Sequence, residues 1–124
     1  MIKKPSYSSE NLAEVAVQGI QEVKGHEITS VDLRNIPNAV CDFFIICHGT
    51  SDTQVEAISK SVEKFIHREM DENPIHKEGT NNAEWILLDY FDVVVHIFKE
   101  QAREFYNLEK LWADADVKEI DYQL

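Results

Sequence analysis

The chain is short of cysteine, proline and basic residues, and each shortage excludes something. Cys41 and Cys47 are its two cysteines, six apart on or beside an apolar run. They build neither a disulfide framework nor a zinc-ligand spacing, so a reducing, cytoplasmic setting is expected. Three prolines beside 44% hydrophobic residues argue for a folded globule rather than a disordered segment. No apolar run approaches the roughly 20 residues that span a bilayer. Met1-Ile2-Lys3-Lys4 runs straight into Pro5 and polar residues, so no signal-peptide apolar stretch is expected. Twelve Lys and Arg stand against 23 Asp and Glu, a net charge of −11, and they form no stripe. Phosphate backbones repel such a chain, which argues against direct nucleic-acid binding. A basic protein partner is favoured instead, because opposite fields steer association.

What is present reads as one domain, residues 1–124, without linker, repeat or low-complexity tract. Ser8 or Ser9 can cap a first helix, in which Leu12, Val15, Ala16, Ile20 and Val23 recur at helical spacing until Gly25. Residues 28–33 read as a short strand. The continuous apolar run 43–48 predicts a central strand covered on both sides. Ser51 and Gln54 have the spacing of a capping box. The helix they open carries Val55, Ile58, Val62, Phe65 and Ile66 on one stripe and ends near Met70, before Asn73-Pro74. An edge-like strand at 75–78, a polar loop at 79–83 and a hairpin follow. A last helix from about Glu100 has its stripe through Ala102, Phe105, Leu108, Leu111 and Trp112. From Ala113 the acidic tail is expected to fray. The order is αββαβββα, an α/β domain with a mixed sheet and helices packed mainly on one face.

The hairpin, residues 84–98, is the most informative stretch. Side chains alternate across a strand. With Asp89 and Asp92 flanking the turn, Ile86, Leu88, Val93, Val95 and Ile97 form an aliphatic core face. Trp85, Leu87, Asp89, Asp92, Val94, His96 and Phe98 form the other, with Trp85 placed opposite His96. That mixture of aromatic, aliphatic and polar groups suits a sheet surface that meets a partner. Trp85 is its natural anchor, since Trp, Tyr and Arg dominate binding hot spots. Tyr90 and Phe91 at the turn tip read as exposed aromatics.

Other chemistry is weaker. His48-Gly49-Thr50-Ser51-Asp52 stands at a strand-to-helix junction, where phosphates often bind. It lacks a glycine-rich cradle and lysine, and Asp52 would oppose an anion, so a capped helix is the reading preferred. Asp89 and Asp92 are accounted for by the turn, and no Asp-x-Asp pair occurs on a strand. Cys47 with His48 or His96 would make a nucleophile and base, but a buried central-strand thiol is usually inert. The histidines at 26, 48, 67, 76 and 96 show no ligand spacing, so neither metal nor cofactor is expected. Arg103, Phe105, Tyr106 and Trp112 are interleaved with Glu100, Glu104 and Glu109, which favours a solvated amphipathic helix over a nucleic-acid patch.

Taken in order, several of these segments resemble the ribosomal silencing factor family, also called Iojap-like or RsfS proteins. The matching residues are Asp42-Phe43-Phe44-Ile45-Ile46, Gly49-Thr50-Ser51-Asp52 with Gln54, Glu78-Gly79 and Glu84-Trp85. Leu88-Asp89-Tyr90, Asp92-Val93-Val94-Val95-His96, Arg103-Glu104-Phe105-Tyr106 and Leu108-Glu109-Lys110-Leu111-Trp112 complete them. The match spans about residues 8–114, leaving an acidic tail at 115–124. The resemblance implies a nucleotidyltransferase-like fold without catalytic residues, hence no enzyme. It implies a translational repressor that binds the large ribosomal subunit through its fourteenth, basic, interface protein and sterically blocks the small subunit. It also implies a homodimer when free. The partner surface carried over comprises Trp85, Leu87, Leu88, Asp89, Tyr90 and His96, with Arg103 and Tyr106 nearby; Phe91 joins it from the turn tip. Leu88 sits on the core side of the alternation. Phe91 stands where the family has glycine, at a turn where glycine's positive φ is useful. The rival from another class is a nucleotide-dependent transferase using Thr50, Ser51, Asp89 and Asp92.

Overall fold

The computed structural model describes residues 8–120. The Ser8 hydroxyl accepts from the Asn11 amide at 3.2 Å and opens α1 (Ser9–Glu22), whose Leu12, Ala16 and Ile20 are buried. After β1 (His26–Asp32) and β2 (Phe43–Gly49), Ser51 caps α2 (Asp52–Met70), accepting from the Gln54 amide at 3.1 Å. The short β3 (His76–Glu78) and the hairpin β4 (Trp85–Asp89) and β5 (Val93–Lys99) follow. The chain then turns through α3 (Glu100–Tyr106) and α4 (Leu108–Leu111) into β6 (Asp116–Ile120).

The six strands form one mixed sheet in the order β3-β4-β5-β2-β1-β6. Only β2 and β5 run parallel; the other neighbours are antiparallel. Every residue of β2 is buried, as its unbroken apolar run predicts for a strand flanked and covered on both sides. One face packs α1 and α2 over Ile45, Cys47, Ile86, Leu88, Val95 and Ile97. Burying each such aliphatic side chain contributes about 1.5–3 kcal/mol. The two helices approach most closely at Gly19, where a Cβ would lie 2.9 Å from the Val62 Cα. The Ser61 hydroxyl fastens this crossing by donating to the Gly19 carbonyl at 2.7 Å. The opposite face holds a smaller core of Val31, Leu33, Phe44, Ile46, Val94, Phe98 and Ala102, covered by α3, α4 and the loop before β2.

Two expectations are corrected. The tail does not fray from Ala113: β6 pairs with β1 from Ile28↔Ile120 to Asp32↔Asp116. Its charged, outward side chains hide a strand whose attachment is a backbone ladder. Residues 121–124 of the expected tail lie outside the described residues. The single last helix is also broken. Asn107 takes a left-handed φ of 48°, so α4 leaves α3 at an elbow and the predicted stripe does not continue across it.

Candidate partner-binding surface

The pleat sorts the hairpin into the two faces expected. Along β4, Ile86 and Leu88 are buried beneath α1 and α2, while Trp85, Leu87 and Asp89 alternate with them, half-exposed, on the other face. The register differs from the expected one. Trp85 pairs with Phe98, Leu87 with His96 and Asp89 with Val94. The turn therefore centres on Phe91 and Asp92 rather than on Tyr90 and Phe91. The shift is by two residues in the partner strand, which preserves the faces. From β3, Glu78 pairs with Leu87 and His76 with Asp89, so carboxylates flank the apolar strip.

Trp85 is held rather than loose. Its indole Nε1, which can only donate, gives a hydrogen bond to His96 Nδ1 at 3.1 Å. The proton of the neutral His96 ring then sits on Nε2, which has no partner among the described residues. Burial lowers the His96 pKa to about 4. The ring packs edge-on against Phe44, with centroids 4.7 Å apart. On its other side Trp85 meets Tyr106 at 4.9 Å, and Tyr106 meets Phe105 at 5.1 Å. At the elbow, Phe105 is 81% exposed, Tyr106 50% and Leu111 73%. Trp112 turns inward against Phe44.

The expected site residues thus separate. Trp85, Leu87, Asp89 and Tyr106 lie together on the accessible strip, with His96 buried behind them. Phe91 projects from the turn, 72% exposed, with φ 75°. Its amide donates to Asp89 Oδ1 at 2.8 Å. The Asp92 amide donates to the Tyr90 carbonyl at 2.9 Å, the bond of a γ-turn with a positive central φ, rare and strained for a non-glycine residue. Leu88 and Tyr90 belong to the helix-covered face and are buried, which corrects the placing of Tyr90 at an exposed tip. Arg103 is also buried, among Thr29, His48 and Glu109. Phe105 and Leu111, assigned to a core stripe, are accessible instead. Within α3 the buried side chains are Ala102 and Arg103, which leaves Phe105 outside, and the left-handed Asn107 redirects the chain before Leu111; asparagine's tolerance of that conformation was the one available signal.

The groups of the rival reading are engaged locally. At the α2 N-terminus Gln54 Oε1 accepts from the Thr50 amide at 2.9 Å, one residue before the Ser51 cap. The Asp52 carboxylate meets Lys99 Nζ at 2.6 Å. Cys47 belongs to the helix-covered core, where burial pushes its thiol up to about 12. His96 stands on the other face of the sheet, so the two do not meet. No group of three or more His, Cys, Asp or Glu among the described residues could hold a metal ion. None of the described helices is long and apolar enough to cross a membrane.

Fold and surface define a one-sheet α/β domain with one face closed by long helices and the other left half-open, aromatic and acid-rimmed. The family profile described as "Ribosomal silencing factor during starvation" matches residues 6–124. The chain belongs to this ribosomal silencing factor family, RsfS. It is 37% identical over 118 residues to the ribosomal silencing factor RsfS of Bacillus subtilis, covering 93% of this chain and 96% of that one. A crystal structure of a Chromobacterium violaceum protein superposes with a TM-score of 0.80 at 28% identity, covering 86% of this chain and 88% of that one. The mouse protein named mitochondrial assembly of ribosomal large subunit protein 1 is 33% identical over 85 residues, which is 67% of this chain and 36% of that protein.

Proposed function

We propose that this chain represses translation by docking on the large ribosomal subunit and sterically blocking the small subunit from joining. Membership of the silencing-factor family supports the repression, and the name of the mouse relative supports the large subunit. The docking surface is the half-open face: Trp85, Leu87 and Asp89 on β4, with Tyr106 and Phe105 from the elbow. Glu78 and Asp89 flank the strip and the net charge is −11, so a basic protein is the complementary partner. The fourteenth large-subunit protein, basic and at the subunit interface, has that chemistry. The protein acts by occupancy rather than catalysis, and a footprint of about 1,600 Å² in total suffices.

The observation that carries this reading is Trp85, half-exposed yet pre-oriented by His96 and Tyr106. A rigid aromatic anchor loses little entropy on binding. Trp85→Ala should cost about 2 kcal/mol of affinity, roughly 30-fold. Added protein should travel with free large subunits in ribosome-profile sedimentation and deplete joined ribosomes, and Trp85→Ala should do neither. Unchanged behaviour of the folded variant would remove the surface from consideration. A wild-type protein that stays at the top of the gradient would remove the function.

A further inference from the structure

Arg103 is 9% exposed and its guanidinium reaches in several directions. Nε and Nη2 donate to Glu109 Oε2 at 3.1 and 2.6 Å, spanning the bend at Asn107. Nη1 donates to His48 Nδ1 at 2.9 Å and to the His26 carbonyl at 3.4 Å, and Nη2 to Thr29 Oγ1 at 3.1 Å. One side chain therefore ties the α3–α4 elbow to β1 and to the end of β2.

His48 can accept from arginine only as a neutral ring with its proton on Nε2, and that atom lies 4.0 Å from Glu27 Oε2. The His26 ring stacks on His48 at 5.4 Å. The charged and titratable groups facing His48 are His26 and Glu27 from β1, Arg103, Glu100 and Glu104 from α3, and Glu109 from α4. Burial and then Arg103 hold the imidazole below its usual range, with Glu27 opposing them.

We propose that Arg103 is a positioning residue for partner binding. Through Glu109 and neutral His48 it holds the elbow in the pose that presents Phe105, Tyr106 and Leu111. This rests on the docking surface proposed above. Protonating His48 withdraws its acceptor and sets a second cation against the guanidinium. The elbow then loosens, and binding weakens as pH falls below the usual histidine range.

The test uses full-length wild type, Arg103→Ala, Arg103→Lys and His48→Asn. Asparagine places a non-titrating acceptor close to where Nδ1 stood. Large-subunit binding is measured from about pH 7.5 to about pH 5, because the lowered His48 pKa moves its charge change toward the acid side of the usual histidine span. Near-UV circular dichroism of each free protein follows the packing of Trp112 on Phe44 and of Tyr106 on Trp85. Wild-type binding should fall several-fold, with most of the loss at the acid end of this range because the His48 pKa is lowered. His48→Asn, whatever it costs at neutral pH, should show a flat profile across the range.

Arg103→Ala should lose binding at every pH, and lysine should not rescue it, because one ammonium cannot replace the guanidinium fork. An Arg103→Ala protein that binds normally, or a His48→Asn protein with the wild-type acid loss, overturns the proposal. Should wild type fail to bind large subunits, the functional reading falls while the dichroism still decides this one. An acid-induced loss in wild type that His48→Asn abolishes supports positioning, and identical curves refute it. The same comparison serves if Arg103→Ala does not fold.

Discussion

His96 is 4% exposed, accepts from Trp85 through Nδ1, and leaves Nε2 unpartnered among the described residues. Burial holds its pKa at about 4 against an ordinary 6.5. Because the folded value is the lower one, the ring contributes nothing to pH dependence while both states are neutral, above 6.5. Below that the unfolded chain binds a proton that the folded chain refuses, so stability falls until pH reaches the folded value. At about 1.4 kcal/mol per pKa unit the full loss is about 3 kcal/mol, of which about 2 is reached by pH 5. His48, also lowered, adds a loss of the same sign. Urea unfolding at about pH 7 and about pH 5 measures the difference, since changes in midpoint at constant slope report stability. His96→Leu should shrink the pH-dependent loss by about 2 kcal/mol, whatever it costs at neutral pH. A His96→Leu protein with the wild-type acid loss would refute the assignment.

Phe91 holds φ 75° while 72% exposed, so Phe91→Gly should relieve strain at little cost in packing and raise stability by about 0.5–1 kcal/mol; a lowered urea midpoint would contradict this. Gly19→Ala should destabilise the fold by about 1–3 kcal/mol, because the new methyl meets the Val62 backbone rather than a flexible side chain. A midpoint equal to wild type would mean that α1 and α2 part more easily than their crossing indicates. Mg-ATP at high concentration should leave the melting temperature unchanged, since the α2 N-terminus is engaged by Gln54 and Lys99. Ligand at 100 times its Kd would add about 2.7 kcal/mol, so a saturable rise of several degrees would revive the transferase reading.

Legibility in the sequence followed the physics of each element. The long helices were readable because cap and stripe agree: Ser51 with Gln54 at one end of α2, Val55, Ile58, Val62 and Ile66 along it. β2 was readable as an uninterrupted apolar run. β6 was not, because Asp116, Lys118 and Glu119 look outward and its attachment to β1 is a backbone ladder, which side-chain patterning does not encode. The elbow failed for a related reason. Phe105 and Leu111 keep helical spacing across Asn107, so a periodic pattern survives in a chain whose helix does not.

For the docking surface, pleat parity and family resemblance gave different answers, and the structure separates them. Parity placed Trp85, Leu87, Asp89 and His96 on one face and Leu88 on the other, and the observed pairs keep that division despite the shifted register. The resemblance added Leu88, Tyr90 and Arg103, all buried, and Tyr106, which is half-exposed against Trp85. Removing a buried residue lowers the amount of folded protein, and with it any activity, without removing a contact. Leu88→Ala should therefore act through stability, on the order of 2–5 kcal/mol for a buried leucine. Trp85→Ala should instead act on affinity. A residue set gathered by resemblance mixes side chains that touch a partner with side chains that hold those in place. In this domain the dividing line is the plane of the sheet, with His96 and Arg103 as the instructive exceptions: both are buried on the proposed docking side, where holding a neighbour in place is how they would act.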